Sequence, residues 1–134
     1  MKRDDRGSVA LEFTLVAPAL LLLVLLLLGY ARVAQVSATL DTGVRDAARA
    51  ATTSRSAQAA QHRAYAVVAA AVGPGGCADS LVVEQVGDFA PGRPVTITAR
   101  CSCSVADLGL PGLPGTLSVR SSFASPLDPN RELS

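Results

Sequence analysis

The chain has 134 residues and a net charge of +1, with acidic and basic side chains almost in balance. No basic block stands out, which argues against nucleic acid as a partner. Aromatic residues make up only 4% of the sequence and Trp is absent, so a core must come from small aliphatic side chains packed closely. About 100 residues follow the one long apolar run, enough for one modest domain beside it.

The N-terminal head, Met1–Arg6, sets Lys2, Arg3 and Arg6 against Asp4 and Asp5. Gly7-Ser8-Val9-Ala10-Leu11-Glu12-Phe13 follows, and from Thr14 to Ala31 no residue is charged. Leu20 to Leu28 is Leu and Val alone. An uncharged stretch of about 18 residues or more is long enough to cross a bilayer core as a helix, and a helix satisfies its own backbone there. A buried core helix rarely runs so far without a polar face, so residues 8–32 read as a transmembrane helix. Pro18 removes one ladder hydrogen bond and is expected to bend it near its start.

Glu12 is the anomaly. A carboxylate costs on the order of a few kcal/mol if placed deep in a membrane. Hydration at the headgroup level or protonation would relieve that cost, and so would a positive group that meets it. Lys and Arg are about as frequent just before the run (Lys2, Arg3, Arg6) as just after it (Arg32, Arg45, Arg49), so the positive-inside rule does not orient the chain. A secretory signal is a rival reading, because Gly29-Tyr30-Ala31 has the small-x-small form of a cleavage site. Against it, the run exceeds the usual h-region and begins beside an acid.

Charged head, Gly7, Glu12, Phe13 and a long apolar helix together resemble the class III signal of type IV prepilins, and in particular the TadE-like pseudopilins of tight-adherence pilus machines. The resemblance implies a leader peptide, residues 1–7, removed by a prepilin peptidase between Gly7 and Ser8. Glu12 and Phe13 would then be the fifth and sixth residues of the mature chain. It further implies that Glu12 pairs with the new amino terminus of a neighbouring subunit. An apolar environment strengthens such a pair and penalises a lone charge. The head would be cytoplasmic, and residues 33–125 would form an extracytoplasmic pilin-like domain. Expected partners are the membrane, other pilin-like subunits, the peptidase and the platform proteins of a pilus or secretion assembly.

Beyond the span, Val33, Val36, Leu40, Val44, Ala47 and Ala51 recur at helical spacing. The membrane helix is therefore expected to continue into an amphipathic half, reaching roughly 65 Å from Ser8 to Ala51. Thr52-Thr53-Ser54-Arg55-Ser56 is rich in N-cap residues and predicts a kink or break. A second helix should present Ala60, Ala64, Val67 and Ala71, with Gln58, Gln61, His62 and Arg63 off that face, and stop at Gly73-Pro74-Gly75-Gly76. Leu81–Val86 reads as a short strand and Asp88–Pro94 as a turn. Val95–Val105 alternates strictly, with Val95, Ile97, Ala99, Cys101, Cys103 and Val105 on one face. Residues 109–115 form a loop with apolar tips. Thr116–Ser125 alternates again with Leu117, Val119 and Phe123 on one face, and residues 126–134 read as a flexible tail. The fold class is α+β: a long helix, a short helix, and a three-stranded antiparallel sheet laid on them.

Outside the cytoplasm a disulfide is permitted. Cys77 lies just before the first strand and could reach either Cys101 or Cys103 on the second. Cys77–Cys101 is preferred, though sequence does not fix connectivity. The remaining thiol would be buried or would link subunits, and three reduced thiols are the plainer alternative. Cys-x-Cys with the lone His62 lacks zinc-ligand spacing, so no metal is expected. No nucleophile has a base partner, His62 reads as a solvated surface residue, and no Gly-rich stretch leads from strand into helix as a phosphate loop does. No cofactor and no catalytic role are expected. Two functional readings follow: a minor pilin or pseudopilin of a tight-adherence pilus or secretion assembly, or an unprocessed single-pass anchor whose outer domain binds another protein.

Overall fold

The computed structural model describes residues 6–75, 77–109 and 112–130, and only the backbone of residues 6–9. Helix α1 runs unbroken from Arg6 to Thr52, 47 residues, or about 70 Å at ~1.5 Å per residue. Its two halves have opposite surroundings. In the N-terminal half, none of the most apolar window is buried, and Leu11, Phe13, Leu15 and Leu20–Leu28 all stand exposed. In the C-terminal half, Leu40, Val44, Ala47, Ala48 and Ala51 are buried, with Val33 and Val36 packed against the same core. That matches the predicted stripe. Thr39 and Thr42 turn their hydroxyls back onto the carbonyls of Gln35 and Ala38, which satisfies polar groups that would otherwise compete with the helix.

The predicted break is real. Ser56 caps α2 (Ala57–Val72), accepting from the Ala59 N–H at 3.3 Å, and Gly73 ends it at φ 68° with its N–H on the Ala69 carbonyl. A left-handed residue of this kind favours Gly. Gly76, part of the predicted stop, lies outside the described residues.

The buried face of α2 differs from expectation. Ala60, Ala64 and Val68 are buried, whereas Val67 is half-buried and Ala71 exposed. The reason is the crossing with α1. A Cβ built on Gly43 would lie 2.9 Å from the Ala71 Cβ and 3.6 Å from the Val68 backbone. The helices approach so closely at Gly43 that Val68 fills the space between them while Ala71 seals its rim.

The sheet is an antiparallel meander of β1 (Val82–Val86), β2 (Pro94–Ser104) and β3 (Thr116–Pro126), in the order β1-β2-β3. Val83 faces Ala99 and Gln85 faces Ile97 across one ladder. Ile97 faces Phe123 and Cys101 faces Val119 across the other. Val95, Ile97, Ala99, Cys101 and Cys103 are buried, as the alternation predicts, and Val105 just past the strand is half-buried. Thr98 is the exception: it belongs to the outer face yet is buried, its hydroxyl 3.0 Å from that of Ser122. On β3, Val119 and Phe123 pack on the core, while Leu117 is 39% exposed. The sheet is fixed to α1 by Arg45, whose guanidinium lies 5.8 Å from the centroid of the Phe123 ring, and by the Ser121 hydroxyl, which donates to Asp41.

The segment read as a tail begins as part of the core. Leu127 is fully buried, its N–H on the Arg93 carbonyl and its own carbonyl accepting from Gly92 N–H. Two leucines six residues apart, Leu127 and Leu133, in a nine-residue stretch gave no periodicity to read. Residues 131–134 lie outside the described residues.

Candidate functional site

The site predicted from sequence is the mouth of α1. Gly7 and Ser8 lie in its first turn, and the head, residues 1–5, lies outside the described residues. Glu12 and Phe13 follow on the same helix, both exposed. Thr14 donates to the Ala10 carbonyl at 2.7 Å, whereas Glu12 makes no hydrogen bond or ion pair among the described residues. An acid on an otherwise apolar helix surface is thus held by nothing among the described residues. Helix α1 is long and apolar enough to cross a membrane, and the chain is accordingly a single-pass membrane protein in outline.

Residues 7–49 match the model of the TadE-like protein family.

The TadE-like segment starts at Gly7 and ends just short of the end of α1. It covers the apolar run and most of the amphipathic half, and supports a protein associated with tight-adherence pili. Helix α2 and the sheet lie beyond it. Comparison with curated proteins and with solved structures gives no match.

The second predicted feature is the cysteine cluster at the base of the domain. Cys77 and Cys101 are bonded, with Cα atoms 5.4 Å apart, and Cys103 is a buried free thiol. Ser80 ties the same region to β2, since its hydroxyl donates to the Ser102 carbonyl at 2.8 Å and accepts from the Ser102 N–H at 2.7 Å. All three sulfurs lie within 4.8 Å of one another. The sequence reading assigned no metal here for want of ligand spacing, yet the i, i+2 alternation of β2 puts two thiols beside a third. With Cys77 and Cys101 bonded, a single thiol is left to ligate. Burial, and secondarily the Asp107 carboxylate, push the Cys103 pKa up, which keeps it a protonated, unreactive thiol.

The open cleft beside the disulfide, about 410 Å³, is lined by Arg32, Gln35, Thr39, Leu40 and Asp107 among others. His62 is exposed on α2 and takes no part in it. Sequence reasoning missed the role of Gln61. It was placed off the packed face, but its amide donates to the Val83 carbonyl at 2.6 Å and accepts from the Gln85 N–H at 2.9 Å. Both groups lie on the free edge of β1, so one side chain stands in for a fourth strand. A half-polar helix face next to a short strand is the only signal that could have suggested it.

Proposed function

We propose that the chain is a minor pilin or pseudopilin, a membrane-anchored structural subunit of a tight-adherence pilus or secretion assembly, without catalytic activity or cofactor. Residues 1–7 are its leader, 8–32 its span in the cytoplasmic membrane, and 33–125 an extracytoplasmic domain. A prepilin peptidase cuts between Gly7 and Ser8. The freed α-ammonium of one subunit and Glu12 of another then neutralise each other beside lipid. The membrane, other pilin-like subunits and the platform proteins of the machine are the partners.

The observation that carries this reading is the coincidence of two boundaries. The TadE-like match begins at Gly7, and the most apolar window of α1 that follows is wholly unburied. A surface of that size and composition needs lipid or other apolar helices against it. The secretory reading is disfavoured because Gly29-Tyr30-Ala31 sits mid-helix, with Gly29 buried against the domain. A peptidase would have to unwind the helix to cut there.

The test is Glu12→Ala. The variant should reach the membrane in wild-type amounts but be recovered less in complexes with partner subunits. Equal co-purification of both forms would refute the assigned role of the acid.

A further inference from the structure

The end of the sheet nearest the span carries an apolar surface of its own. A second cleft, about 440 Å³, opens between Leu26, Leu27 and Tyr30 of α1 and Val105, Leu108 and Leu117 of the domain. Directly above it lies the cleft lined by Arg32, Gln35, Thr39 and Asp107. The change from apolar to charged therefore falls at one level on both bodies, at Arg32 on the helix and at Asp107 on the domain.

The height of that level follows from the helix. Phe13 to Ala31 is the uncharged stretch, and at ~1.5 Å per residue it spans roughly 28 Å, close to the ~30 Å thickness of a hydrocarbon core. If Glu12 and Arg32 mark its two faces, Leu26 lies about 9 Å inside the outer one. Leu117 and Val105 share a cleft with it, so the base of the sheet comes down below the plane of Arg32. The Val105 N–H bonds the Gly115 carbonyl at 3.0 Å, extending the ladder at the same end of the sheet, where the loop that holds Leu113 begins and ends. Leu113 on that loop is 57% exposed.

We propose that the base of the domain is seated in the outer leaflet, with a phospholipid acyl chain filling the cleft between Leu26, Leu27 and Leu117. Leu113 enters the leaflet beside it. The domain thus stands on the bilayer as well as on its helix, which fixes its tilt and rotation about α1 before any partner is met. Tyr30 lies at the interface, where an amphipathic ring is favoured. This inference rests on α1 being a membrane span.

The chain contains no Trp, so a single introduced Trp is an unambiguous reporter. The full-length protein, carrying Leu117→Trp, Leu23→Trp or Val86→Trp in turn, is reconstituted into vesicles of phosphatidylethanolamine and phosphatidylglycerol with or without bromine on the acyl chains. Leu23→Trp reports the span and Val86→Trp the far end of the sheet. Leu117→Trp should lose at least half of its emission in brominated vesicles, as Leu23→Trp does, while Val86→Trp is unchanged. Leu113→Trp, exposed on the loop, repeats the measurement without entering the core. Quenching at Leu23→Trp with none at Leu117→Trp and Leu113→Trp overturns the seating of the domain alone. Absence of quenching at Leu23→Trp overturns the span itself, and the seating with it.

Discussion

Cys77→Ala removes the bond that ties the end of α2 to the middle of β2. The bond joins residues 24 apart, and in the chain-entropy account a loop of that length is worth about 3.5 kcal/mol. With a denaturant slope of ~1.5 kcal/mol/M, the urea midpoint should fall by about 2 M. Cys101→Ala should behave differently. Its removal leaves Cys77 facing Cys103, whose sulfur lies within 4.8 Å, and oxidation can close a bond of nearly the same loop length. Cys101→Ala should therefore retain most of the stability that Cys77→Ala loses. Cys103→Ala keeps the native bond and loses only one buried sulfur, about 1 kcal/mol. The assay is urea unfolding in detergent micelles followed by circular dichroism, with thiols counted by alkylation in denaturant. Cys77→Ala should show two free thiols and Cys101→Ala none. Equal midpoints for Cys77→Ala and Cys103→Ala, or two free thiols in Cys101→Ala, would refute the reasoning.

Three further outcomes follow from single contacts. Gly43→Ala should destabilise the domain by about 1–2 kcal/mol, because overpacking against Ala71 outweighs the gain of ~1 kcal/mol in helix propensity; a rise in thermal midpoint would contradict the close crossing. Gln61→Ala leaves Val83 and Gln85 unpaired on the β1 edge and should cost about 1–2 kcal/mol, with aggregation through the uncovered edge. The exposed Gln58→Ala serves as the neutral control. The Cys103 thiol should resist iodoacetamide at neutral pH and react only as the pH rises above the ordinary value of 9.0. Since its folded-state pKa is the higher, its contribution to stability is whole below 9.0 and is lost as the pH rises through the folded value; rapid alkylation of the native protein at neutral pH would contradict this.

The features that could be read in advance are those written as a period. The uncharged run gave the exposed half of α1, and the i, i+3, i+4 stripe from Val33 to Ala51 gave its packed half. Strict alternation gave β2 to within a residue at each end. Pairing of the cysteines was narrowed to two choices, since alternation puts Cys101 and Cys103 on one face, and only the β1–β2 register decides between them. What escaped depends on distances between elements. The replacement of Val67 by Val68 in the core follows from how closely α2 crosses α1 at Gly43. Gln61 and Leu127 matter because of the backbone each meets, and no local pattern encodes that meeting. In the anchor, Glu12 stood out because a charge in an apolar run needs no partner to be conspicuous.

The central claim is that the chain enters its assembly only after losing its head. The most direct measurement is the amino-terminal sequence of the full protein extracted from the membrane of cells that carry the machine. A start at Ser8 is the predicted result. Retention of Met1, or a start at Arg32, would contradict it.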